Sequence, residues 1–100
     1  MLHYETIHPA TLELLKNLAS SKLTKQDFIV VYELLKHYEL SEILDFYMKK
    51  YPDYSMFQAL LSLTYFDDAE SQAMPVMFIS DSWDEMKEKI RGEVRKYQGK

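Results

Sequence analysis

The sequence predicts an all-α fold, a compact bundle of about five helices forming one domain over 1–100, and three observations carry that expectation. Apolar residues recur at spacings of three and four along most of the chain, as the buried face of a helix requires. Helix-start signals stand before these runs: Thr24 with Asp27, Ser55 with Gln58, and Ser82 with Glu85. Each pairs an acceptor for first-turn N–H groups with a polar residue three positions on. With 47% hydrophobic residues against two glycines and three prolines, there is material for a core and too little loop composition for disorder.

Pro9 suits a first helical position, where its missing N–H costs nothing, and Leu12, Leu15, Leu18 and Ala19 follow at helical spacing. Helix one is read as 9–20, and SSKL at 20–23 breaks the pattern. Helix two, 25–38, carries Phe28, Ile29, Val30, Val31, Leu34 and Leu35 around most of its circumference, which predicts a central position. Ser41 is expected to cap helix three, with Ile43, Leu44, Phe46, Tyr47 and Met48 on it and Pro52 stopping it. Ser55 opens helix four, whose Met56, Phe57, Leu60, Leu61, Leu63 and Phe66 read as core. The segment 68–80 loses helical punctuation, and its apolar residues 74–79 predict an ordered, docked connection. Helix five, 83–97, shows one stripe of Trp83, Met86, Ile90, Val94 and Tyr97, interrupted only by Gly92.

Composition narrows the function classes. A net charge of -4 with no basic arm argues against a nucleic-acid binder. The absence of cysteine excludes disulfides, thiolate metal sites and a cysteine nucleophile. FIVVY at 28–32 is far short of the ~20 apolar residues of a membrane helix, and MLHYETIHP lacks the basic flank and apolar stretch of a signal peptide. A cytoplasmic protein with no membrane partner is expected.

Chemistry-bearing residues are few. Asp67, Asp68 and Glu70 crowd after the apolar run ALLSLTYF, and a metal site is one reading. The structural reading is that they sit at a helix C-terminus, where Asp67 or Asp68 accepts N–H groups of the following turn or pairs with Arg91, Arg95 or a lysine of helix five. His3, His8 and His37 have no partner histidine at i,i+4, so no zinc site is expected. The eight tyrosines and five phenylalanines fall among leucines at helical spacing and read as core rather than as base-stacking platforms. Ser82, Trp83 and Glu85 read as the capped start of helix five, whose acids lie early and bases late. No catalytic residue, metal ligand or cofactor is assigned.

The residues also carry a family resemblance. LHYETIHPATLELLKNL resembles the start of the AbiEii/AbiGii nucleotidyltransferase toxins, proteins of abortive infection and toxin–antitoxin systems, so that 1–20 matches the family's N-terminus. DFIVVYELLKHYELSEILDFYMKKYP, LLSLTYFDDAE, MPVMF and SWDEMKEKIRGEVRKY resemble its C-terminal helical region, placing 25–97 there. The family's middle, a nucleotidyltransferase core with a Gly-rich turn and an Asp-x-Asp pair, has no counterpart, and the two ends meet near Ser20 to Thr24. Holding Mg²⁺ and a triphosphate needs carboxylates on one strand face and a turn open to phosphate. Gly92 and Gly99 supply no such turn, and Asp68-Ala69-Glu70 belongs to the helical end.

The resemblance therefore implies a non-catalytic, internally deleted remnant with no independent activity. The alternative is an interaction module that binds itself, an antitoxin-like protein or a full-length relative. Loss of a core would bare apolar surface, to be covered by a homodimer contact or by helix one folding back. On the structural reading of the acidic cluster, Asp68→Ala should lower the melting temperature, while added Mg²⁺ should leave that of the wild type unchanged.

Overall fold

The computed structural model describes residues 9–73 and 82–99. All regular structure among them is helical: α1 (Pro9–Ala19), α2 (Lys25–Leu34), α3 (Leu40–Lys50), α4 (Met56–Thr64), a single turn α5 (Asp67–Glu70) and α6 (Trp83–Gln98). The all-α expectation holds, with five longer helices and the extra turn α5. The connection 74–79, together with His3 and His8, lies outside the described residues.

α1 buries Thr11, Leu14, Leu15 and Leu18, one face at helical spacing. It ends where Lys22 N–H reaches the Asn17 carbonyl (2.9 Å) and Ser21 N–H the Leu18 carbonyl (3.2 Å). This closure needs a left-handed residue at its centre, and Ser21 adopts it at φ 59°. The predicted capping box of α2 forms: Asp27 N–H donates to Thr24 Oγ1 (3.2 Å) and Thr24 N–H to Asp27 Oδ2 (2.9 Å). Asn17 Nδ2 donates to the same Oδ2 at 2.8 Å, so the cap also ties α1 to α2.

Three boundaries differ from the sequence reading. α2 stops at Leu34 rather than 38, because Lys36 and His37 N–H turn to carbonyls three residues back and tighten the chain. α3 starts at Leu40 with Glu39 as its cap, and Glu42 Oε1 accepts from Glu39 N–H at 3.0 Å; Ser41 lies inside the first turn and caps nothing. α4 ends at Thr64, since Tyr65 is extended (φ -94°, ψ 94°), and the chain re-enters a helix at Asp67.

Phe28 is fully buried, with its ring centroid 4.8 Å from that of Phe66 and 5.9 Å from that of Trp83. Phe66 and Trp83 meet edge to face at 5.8 Å. Such pairs add about 0.5–1.5 kcal/mol each beyond the area they bury. They join α2, the α4–α5 corner and the start of α6. α6 packs on α2, α3 and α4 through Met86, Ile90 and Val94, while α1 packs on α2 and α4. The aromatics read as core are so placed at Phe28, Tyr47 and Phe66, but not at Tyr54, Phe57 or Tyr65, which are exposed.

Two positions carry mismatched backbone chemistry. Ser21 holds a left-handed conformation that costs a non-glycine residue about 1–2 kcal/mol, and Gly92 lies mid-helix where an added Cβ would meet nothing within 4 Å. Ser21→Gly and Gly92→Ala should each stabilise the fold by about 1 kcal/mol. Thermal unfolding should show each raising Tm by roughly 4–8 °C.

Candidate functional site

The acidic cluster opens a helix instead of closing one. Because α4 has already ended at Thr64, Asp67, Asp68 and Glu70 fall in the turn of α5. Glu70 alone finds partners: Trp83 Nε1 donates to its Oε1 at 2.9 Å and Lys87 Nζ to its Oε2 at 2.7 Å. The expected arginine partners are engaged elsewhere or absent from this contact; Arg91 pairs with Glu88 at 3.2 Å and lies 4.9 Å from the Phe66 ring centre. Asp67 and Asp68 are exposed and make no hydrogen bond or ion pair among the described residues. Among those residues no three His, Asp or Glu side chains converge as a metal would need.

Lys87 also approaches Asp84 at 3.5 Å. The hydrogen bond from Lys87, then that from Trp83, holds the Glu70 carboxyl below its usual range, and the bond to Glu70 holds the Lys87 ammonium above its own. Ser82 accepts from Glu85 N–H at 3.1 Å and its hydroxyl donates to Glu85 Oε1 at 3.2 Å, so both residues act as the cap of α6.

Lys25 is a residue that sequence reasoning missed. It is only 6% exposed. Its N–H donates to Gln72 Oε1 (2.7 Å), its ammonium donates to the Gln72 carbonyl (2.7 Å) and stands 4.9 Å from the Trp83 ring centre. A lysine at the first position of an amphipathic helix carries no sequence signal of burial, since its partners lie 47 positions away.

The surface with binding character is on α4. Ala59, Leu60 and Leu63 face the core, but Phe57 is 65%, Leu61 47% and Tyr65 55% exposed, with Tyr54 at 50% beside the helix start. Phe57 and Leu61, read from sequence as core, are therefore corrected to surface. The segment MFQALLSLT is apolar on more than one side, and the bundle has room for only one of them. Beside this stripe runs a groove of about 480 Å³, lined by Leu23, Leu61 and Tyr65 with the polar Ser21, Ser62 and Asp68. No helix among the described residues is long and apolar enough to cross a membrane.

Compared with protein families, curated proteins and solved structures, the chain gives no match.

Glu70 and Lys87 set a pH dependence. A lowered Glu70 pKa contributes stability above the ordinary glutamate value, lost as pH falls through the native one; a raised Lys87 pKa contributes stability below the ordinary lysine value, lost as pH rises through the native one. Between those ordinary values, about 4 and about 10, both contributions are present. Glu70→Gln should flatten the acid limb of urea midpoint against pH and shift the emission of Trp83, the single tryptophan. With Asp68 exposed, the effect expected of Asp68→Ala is revised to less than about 0.5 kcal/mol.

Proposed function

We propose that the chain is a non-catalytic protein-interaction module, built from the two ends of an AbiEii-like nucleotidyltransferase toxin without its catalytic middle, and that the outer face of α4 is its contact surface. The exposure of Phe57, Leu61 and Tyr65 in one stripe carries this reading. Aromatic residues standing together on a surface are the composition of interface centres. Loss of a packed catalytic domain would bare such a face, which fits the resemblance of the flanking segments. The same stripe favours a binding role over a remnant that has none, because the bundle closes around Phe28 without those side chains. On this reading the module works in the cytoplasm, and its partner is a protein, either a second copy or an antitoxin-like chain.

The test separates a face kept for an outside partner from one that serves the fold. In urea unfolding at high dilution, Phe57→Ser should change stability by less than about 0.5 kcal/mol, whereas Leu60→Ala, on the buried side of the same helix, should cost about 2–5 kcal/mol. A loss of about 2 kcal/mol or more for Phe57→Ser would place that face in the intramolecular core and overturn the reading.

A further inference from the structure

We propose that the partner is a second copy of this chain, docked with the two α4 helices antiparallel across a two-fold axis at Leu61; the inference rests on the reading of α4 as a contact surface. Three features of the face select this occupant.

The stripe is symmetric in residue type. Phe57 and Leu61 stand four positions apart on α4, and Tyr65, the extended residue that ends the helix, lines the same groove as Leu61, so the three form one stripe spanning about 12 Å. A half-turn about Leu61 lays each copy's Phe57 on the other's Tyr65 and sets leucine against leucine. Isologous contacts of this kind are the commonest in homo-oligomers.

The face is also complementary to itself in shape. Leu61 and Tyr65 line the groove, and Phe57 stands clear of it as the most exposed large apolar side chain described. The same half-turn carries Phe57 of each copy toward the groove end of the other. The groove runs along α4 from Gln58 to Tyr65, and the half-turn that brings one Phe57 to the facing copy's groove brings the other as well.

Charge points the same way. MFQALLSLT contains no charged residue, so two copies meet without like charges at the axis despite a net charge of -4 on each. Asp68 lies at the Tyr65 end of the groove. Antiparallel docking keeps the two Asp68 side chains at opposite ends of the contact, and parallel docking would bring them together.

Area sets the strength. Aromatic side chains present roughly 150–250 Å² each when fully free, so at their observed exposures Phe57, Leu61 and Tyr65 offer about 300 Å² per copy. Two copies bury on the order of 600 Å² of this surface, below the roughly 1,200–2,000 Å² of stable complexes. Even with flanking polar residues added, the dimer should dissociate on dilution.

Sedimentation equilibrium from micromolar to near-millimolar protein should show the mass rising from 11.9 kDa toward twice that value, and Leu61→Asp should weaken the association at least about tenfold. The chain has no cysteine, so single replacements report geometry. Under mild oxidation Leu61→Cys should cross-link to itself. Phe57→Cys should not, because its two copies would stand about 12 Å apart along the axis, beyond the ~7 Å reach of a disulfide. A mixture of Phe57→Cys and Tyr65→Cys should form the mixed dimer.

A dimer indifferent to Leu61→Asp, or self-cross-linking of Phe57→Cys as efficient as that of Leu61→Cys, overturns the proposed docking. So does a strict monomer. If such a monomer tolerates Phe57→Ser without loss of stability, the second copy is eliminated and the α4 face still stands as a surface for a different protein. If it does not, part of the same chain uses the face and both readings fail.

Discussion

Three aromatic rings from distant parts of the chain meet at Phe28, and most of the structure can be traced from that contact. Phe28 comes from the first turns of α2, Phe66 from the corner after α4, and Trp83 from the first position of α6. Burying Phe28 completely stabilises the fold by about 1.5–3 kcal/mol through area alone. The contact also decides direction. Phe66 reaches Phe28 only because Tyr65 is extended and turns the chain between α4 and α5. Trp83 can edge both rings only if α6 begins at that corner.

Polar groups secure the periphery of this cluster. The Trp83 indole is turned outward to Glu70, which Lys87 holds from the next turn of α6, and Lys25 closes the inner side by donating to the chain that leaves α5. Charge-assisted hydrogen bonds of this type are stronger than neutral ones and, once partly covered, are costly to leave half made. The acidic residues therefore have unequal roles. Glu70 is structural, and Asp67 and Asp68 are exposed on the outside of a helical turn.

α4 shows how the same constraint produces a surface. Once Phe66 is committed to the aromatic cluster, helical geometry directs Ala59, Leu60 and Leu63 inward and leaves Phe57 and Leu61 outward. No rotation of the helix could bury both sets while keeping Phe66 beside Phe28. The apolar excess of α4 is thus a consequence of core geometry, and the groove bordered by Leu23, Leu61 and Tyr65 lies where α4 passes the α1–α2 turn.

The sequence by itself determined the helical class, the caps at Thr24, Ser55 and Ser82, and the inward stripe Met86–Ile90–Val94 of α6. Those features depend on hydrogen bonds and periodicities that close within three or four residues, so neighbouring letters suffice to read them. The true cap of α3 was less legible, because Glu39 works through Glu42 reaching back to its N–H, while Ser41 presents the more familiar capping residue. Only the tertiary structure decided that Lys25 is covered, that Glu70 answers Trp83 and Lys87, and that Phe57, Leu61 and Tyr65 stay outside. Each depends on partners many positions away or on the side of α4 that faces the aromatic cluster. An apolar residue in a helix with more than one apolar side carries no mark of which side the rest of the chain will cover.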